Sequence, residues 1–261
     1  MFKSLWNYRY FIFSSIRNEL RTRFIHSKLG ALWMIFNPLA QVMIYAFILS
    51  NVLAAKLPGI ENKYAFSIYL MAGILGWALF FDVISRSINL FVDNANLMKK
   101  INFPRMALAS IMLGSCLLNN LILLGSILVV FIFLGHSFNF TILWLIPLMG
   151  TVTLFAFGIG LILGVINVFI RDVAQGMPIV LQVLFWFTPI VYPVTIVPTE
   201  YLGFLKMNPL FPIIEAYHAV LLYGESPDMT SIVQLNIIGF LIVLFGLFMF
   251  RKASPEMVDV L

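Results

Sequence analysis

Apolar residues run along this chain in long blocks, separated by short clusters of charge. A helix needs about 20 apolar residues to cross a hydrocarbon core of about 30 Å. Blocks of that scale predict six transmembrane helices, at about 30–53, 64–88, 106–134, 141–170, 173–197 and 230–250. The third and fourth share a stretch from Met106 to Ile170 that holds no Asp, Glu, Lys or Arg, and Gly135-His136-Ser137-Phe138-Asn139 supplies the turn between them. The apolar stretch 208–223 is too short to cross and carries Glu215 and His218. A charge at the bilayer centre costs about 2.5–3.5 kcal/mol, so this stretch reads as an extracytoplasmic half-helix that enters and returns. Within 3–22, Leu5, Tyr8, Ile12, Ile16 and Leu20 recur at helical spacing, opposite Lys3, Asn7, Ser14, Arg17, Asn18 and Arg21. That pattern predicts an amphipathic interface helix on the cytoplasmic leaflet. The expected fold is an all-α integral membrane protein, one domain over 1–261, without repeats or linkers.

Composition removes the soluble alternative. The chain is 62% hydrophobic and 10% charged, against roughly 45–50% and about 25% in soluble domains. A soluble domain of this size has to cover its exterior with polar groups that are missing here. The net charge of +5 is explained by placement. With six crossings, thirteen of the 16 Lys and Arg fall on one side, leaving only Lys56, Lys63 and Lys206 on the other. The positive-inside rule makes that side cytoplasmic and places both termini there, and nucleic acid is not an expected partner. Lys3, Arg9 and Arg17 interrupt the first apolar stretch and no small-residue cleavage site follows, so no secretory signal is expected and Met1 is taken as the mature start.

Candidate chemistry is sparse. Cys116 is the single cysteine, and His26, His136 and His218 are scattered, so neither a disulfide, a metal site nor a nucleophilic constellation is expected. The chain holds no Gly-Lys dipeptide, and therefore no phosphate-cradling P-loop. No cofactor is expected in this chain, and it is not expected to be an enzyme.

Three polar or broken segments stand out. Asp93–Arg105 is the longest cytoplasmic loop, with Asn94, Asn96, Lys99 and Lys100 on one side of a short helix, Leu97, Met98 and Ile101 on the other, and Pro104 as the stop. A positively charged loop that only fixes topology would look similar. Arg171-Asp172 marks a helix boundary: a cation suits the carboxyl end of one helix, and Asp172 with Gln175 makes a capping box for the next. That assigns the pair to structure and gating in preference to substrate contact. Pro178, Pro189, Pro193 and Pro198 punctuate the fifth block, and helix breaks at membrane depth are tolerated where protein or a water-filled cavity satisfies the backbone.

Four segments together resemble the ABC-2 permeases that export lipid-linked polysaccharides such as O-antigen, capsule and teichoic acid. They are Arg21-Thr-Arg-Phe-Ile-His-Ser-Lys-Leu-Gly-Ala-Leu-Trp33 with Asn37-Pro38-Leu39; Asn96-Leu-Met-Lys-Lys-Ile-Asn-Phe-Pro104-Arg105; Asn167-Val-Phe-Ile-Arg171-Asp172 with Thr188-Pro189-Ile190-Val191-Tyr192; and Asn208-Pro209-Leu210. The resemblance implies a permease in a bacterial cytoplasmic membrane that pairs with a second copy and with two ABC ATPase subunits, which carry ATP and Mg2+. It implies that the segment holding Asn94, Asn96, Lys99, Lys100, Pro104 and Arg105 is the coupling helix that docks on the ATPase. Sugar rings stack their C–H faces on aromatic planes, so Trp33, Phe36, Tyr45, Phe185, Trp186, Phe187 and Tyr192 are the candidates for lining a channel, although aromatics also collect at membrane interfaces.

An ABC-2 exporter of drugs or small lipids would differ in cargo only. A membrane-embedded glycan-transferring enzyme would need clustered carboxylates, and a secondary transporter usually shows inverted repeats and ionisable residues within its spans. With six crossings, cysteines placed singly at Lys3, Gly59, Asn102, Ser137, Asp228 and Glu256 in a Cys116-free background react from outside only at Gly59, Ser137 and Asp228. External labelling at Asn102 contradicts that topology.

Overall fold

The computed structural model describes residues 8–22, 65–99, 105–133 and 139–261, together with Trp6, Leu32, Trp33, Phe36, Leu39, Ala40 and Met43. The described residues form helices α1 (Arg9–Thr22), α2 (Ala65–Asp93), α3 (Ala95–Met98) and α4 (Arg105–Phe133). A 3-10 turn, Phe140–Trp144, leads into α5 (Leu145–Phe169), followed by α6 (Asp172–Trp186), α7 (Thr199–Met207), α8 (Phe211–His218) and α9 (Met229–Val260). No strand occurs among the described residues. Among the described residues, four helical segments are long and apolar enough to cross a membrane: Ala65–Asp93, Arg105–Ile132, Phe140–Phe169 and Met229–Met257. They correspond to the expected second, third, fourth and sixth crossings. The expected crossing at 30–53 falls largely outside the described residues, as do Tyr45, Lys100 and Pro104.

The expected fifth crossing, 173–197, differs. Its helix, α6, has 15 residues and ends at Trp186, a length of about 22 Å at 1.5 Å per residue. Pro178 is accommodated inside α6, but Pro189 and Pro193 remove two backbone donors just where the helix would continue. The chain instead turns through 187–192 and forms a short 3-10 turn at Val194–Ile196.

Why the helices meet as they do follows from small residues. Lipid tails are as apolar as leucine, so helices in a bilayer associate through close packing and hydrogen bonds. Gly160 and Gly164, one turn apart on α5, face Ser87 of α2; a Cβ on Gly164 would stand 2.5 Å from the Ser87 carbonyl oxygen. On another side of α5, Gly158 lies against α9 residues Ile242 and Val243, and Gly246 of α9 returns against Leu161. α5 thus lies between α2 and α9, the two helices it contacts most extensively. Side-chain amides reinforce the contacts: Asn167 donates to the Ile88 carbonyl at 3.0 Å, Asn120 to that of Leu75 at 3.0 Å and Asn236 to the Thr151 hydroxyl at 2.9 Å. Each such bond adds about 0.6 kcal/mol on average in membrane bundles. α2 is enclosed on all sides from Ala65 to Trp77, whereas α9 exposes Ile237, Ile238, Phe240, Leu241, Phe245 and Phe248, a surface stable in lipid but not in water.

α1 docks on the bundle and is not only a leaflet helix. Ile16 is buried, and its side chain occupies the space above Gly114 of α4. Glu19 forms an ion pair with Arg86 of α2 and accepts from the Ser115 hydroxyl at 2.7 Å. Arg86 therefore sits inside a helix with its charge paired.

The close approach at Ser87 makes a stability prediction. Gly164→Ala drives a methyl into α2 backbone, and overpacking of this kind costs about 1–3 kcal/mol. Gly150→Ala, on the same helix with open space around it, serves as the control. Thermal unfolding in detergent should show a lowered Tm for Gly164→Ala and an unchanged or raised Tm for Gly150→Ala.

Candidate functional site

The break after α6 gathers the second half of the chain around Tyr69. This residue lies in the first turns of α2, buried, with its hydroxyl 2.8 Å from the carbonyl oxygens of both Pro189 and Tyr192, between which its proton is shared. His218 of α8 stacks on the Tyr69 ring at 3.7 Å between centroids and 20° between planes. The turn 187–192 is braced from within as well. Thr188 donates to the Leu184 carbonyl, ending α6, and Tyr192 donates to that of Trp186. Asn208 donates to the Phe187 carbonyl and to the Thr188 hydroxyl, while its own side-chain oxygen accepts from the Leu210 N–H. Thr188–Tyr192 and Asn208–Leu210, two motifs separated in sequence, thus form one hydrogen-bonded unit. It occupies the end of the bundle where α2 and α9 begin.

The half-helix expected over 208–223 is α8 followed by a π-helical turn, Ala219–Tyr223. At thirteen residues, Phe211–Tyr223 is about 20 Å long, short of a crossing. Gly224 ends it at φ 66°, a left-handed conformation natural to glycine, and packs against Asn139. Hydrogen bonds from the Ser231 hydroxyl and the Thr230 N–H hold the Asp228 carboxyl below the usual carboxylate range, as expected for the cap of α9.

Of the candidate aromatics, Trp33 and Phe36 are exposed. Phe185 packs edge-on to Trp77 at 5.4 Å and to Trp186 at 5.6 Å. Trp186 and Phe187 are more than half exposed at the end of α6, and Tyr192 is brought to them through its bond to the Trp186 carbonyl.

The opposite end carries α3. Met98 is 1% exposed and plugs the base of the bundle, while Asn96 and Lys99 face outward, the division the sequence suggested. Asn94 departs from it, donating back to the Leu90 carbonyl at 2.8 Å. Arg105 reaches across to the carbonyl and hydroxyl of Ser254 near the end of α9, which places the C-terminal helix on the α3 side. Arg171 and Asp172 are both exposed at the junction of α5 and α6. Asp172 makes no capping bond here; Asn167, fixed inside the bundle, accepts from the Ala174 N–H instead. The acid in the first turn retains its favourable interaction with the helix dipole.

Glu19 and Tyr69 were not singled out from sequence, and Asn167 was named only as the start of a family-like segment, without a role of its own. Glu19 had a signal, being the sole acid in the basic segment 1–28; Tyr69 and Asn167 look like any polar residue in an apolar run. Among the described residues no group of three His, Cys, Asp or Glu gathers as a metal site.

These features meet a known family. Residues 10–222 match the ABC-2 type transporter family. The chain is 30% identical over 247 residues to the O-antigen export system permease protein RfbA of Klebsiella pneumoniae, covering 93% of this chain and 92% of that protein. It is 24% identical to the RfbA of Myxococcus xanthus, covering 98% and 97%, and 26% identical to the polysialic acid transport protein KpsM of Escherichia coli, covering 92% of each. With the family match running from α1 to the π-helical turn, the chain belongs to the ABC-2 type transporters.

Proposed function

We propose that this chain is the transmembrane permease of an ATP-driven exporter of lipid-linked polysaccharide in a bacterial cytoplasmic membrane. It works as a homodimer with two ABC ATPase subunits, which hold ATP and Mg2+. The observation that carries the reading is similarity, over more than nine-tenths of the chain, to permeases named for O-antigen and polysialic acid export. On this reading the segment 30–53 crosses the membrane, and α6 with the broken segment after it completes the fifth crossing, so that six crossings leave both termini cytoplasmic.

The geometry supports a division of labour. At the cytoplasmic end, α3 offers Asn96 and Lys99 to an ATPase surface while Met98 anchors it in the core. α2 follows α3 back through the bundle as a continuous helix to Tyr69, a rise of about 36 Å from Asp93. A displacement imposed at α3 therefore reaches the Tyr69 network along one continuous helix whose far half is fully enclosed. At the far end, Trp186 and Phe187 are more than half exposed, with the partly buried Tyr192 beside them. A polymer needs a continuous opening, and closed twofold pairing provides one between two copies. The exposed aromatics then form its wall together with Trp33, Phe36 and Tyr45.

Two predictions test this reading. Replacing Asn96, Lys99 and Lys100 together with Ala should lower export or ATPase assembly while membrane insertion is unchanged; normal export by the triple variant removes the coupling role. Changing Tyr45, Trp186 or Tyr192 singly to Ala should slow export by about two- to tenfold, the loss of one aromatic stacking contact of about 0.5–1.5 kcal/mol. Trp186→Phe should be tolerated. Phe248→Ala, at a lipid-facing position, should export normally, and equal sensitivity there would mean the aromatic effect reports packing alone.

A further inference from the structure

Beside the Tyr69 network lies a cavity of 780 Å³, walled by the turn at 193–195, α7, α8, the π-helical turn and the first turns of α9. Its size falls in the range of ligand pockets, about 300–1,000 Å³. The lining is unlike the rest of this apolar chain, for Lys206, Glu215, Tyr223, Asp228 and Gln234 all present side chains to it. Asp228 is committed in part to capping α9. Lys206, Glu215, Tyr223 and Gln234 are exposed on its rim and form no hydrogen bond or ion pair among the described residues, while Lys206 lies near enough to act electrostatically on Glu215. Tyr69 and His218 complete the wall.

The geometry points to a saccharide subsite in this cavity, one that holds uncharged, hydroxyl-rich sugar residues of the exported polymer. It rests on the export reading above and specifies the substrate further. Carboxylates accept two hydrogen bonds from neighbouring hydroxyls of one ring, the Gln234 amide both donates and accepts, and Lys206 donates to hydroxyl or ring oxygens. The exposed Tyr223 ring supplies a face for sugar C–H groups. Charge selects among glycans. Two carboxylates face one ammonium, so a phosphate or an acidic sugar entering the cavity meets net repulsion, whereas a neutral sugar does not. The cavity sits at the end where the polymer would leave, with Tyr69 joining its wall to the turn that carries Tyr192. An occupied cavity is therefore in direct mechanical contact with the break after α6.

The test uses cells that make both the full permease and its ATPase. p-Benzoylphenylalanine is placed at Gln234 and, separately, at Trp186, and irradiated cells are probed for permease bearing the cell's own polysaccharide. An adduct is expected at Gln234, reduced about tenfold by Glu215→Ala at equal membrane abundance, the loss expected from one charge-assisted hydrogen bond. Glu215→Gln, which keeps shape and one acceptor, should retain more adduct than Glu215→Ala. An adduct at Trp186 without one at Gln234, a phospholipid adduct at Gln234, or a glycan adduct indifferent to Glu215→Ala each overturns the subsite while leaving export standing. Unchanged surface polysaccharide after deletion of the permease overturns the export reading itself.

Discussion

The approach of α5 to α2 at Ser87 is the contact on which the rest of the bundle depends. In lipid there is no hydrophobic force between helices, so two helices stay together only where their backbones come close enough for dense packing and for polar side chains to reach across. Gly160 and Gly164 permit that approach, and one turn later Asn167 uses it, bonding the Ile88 carbonyl with one end of its amide and the Ala174 N–H with the other. A single buried side chain thereby fixes both the α2–α5 pair and the start of α6. The angle at which the chain re-enters the bundle after Arg171, and so the position of the aromatics at the far end of α6, follows from it.

The break after α6 is the second determinant, and it has the opposite character. Prolines withhold backbone donors, and the freed carbonyls need partners because lipid supplies none. Tyr69 serves Pro189 and Tyr192, Asn208 serves Phe187, and the Tyr192 hydroxyl serves Trp186. The helix interruption is thus satisfied at these carbonyls, yet it is held by side chains from two other parts of the chain, Tyr69 and Asn208, together with its own Tyr192. Such an element can exchange partners when any of those parts moves, which a continuous transmembrane helix cannot.

Between these lies α2, enclosed from Ala65 to Trp77, with Tyr69 near one end and the turn into α3 at the other. α1 is clamped to the same helix through Glu19 and Arg86, and α9 is tied to the start of α4 through Ser254 and Arg105.

Much of this was legible in the residues. Four apolar blocks became crossing-length helices that begin within one residue of their expected starts, because a 30 Å hydrocarbon layer leaves little freedom in length or in side-chain type, while the second and sixth run on to Asp93 and Met257, past the expected ends at 88 and 250. The outward Asn96 and Lys99, with Met98 inward, followed from helical spacing alone. Prolines and a short apolar stretch marked the break and the half-helix, though not how either is held. What the sequence by itself could not disclose is which side chain meets which. Asp172 looked like the cap of α6, but Asn167 took that bond because packing against α2 had already brought its amide within reach. Arg86 showed no counter-ion in the sequence, and the docking of α1 on α2 gave it Glu19. Hydropathy is a property of single positions summed along the chain and so is readable from it; hydrogen-bond partners, ion pairs and the polar cavity beside Tyr69 depend on distances between helices, and only the tertiary structure decided those.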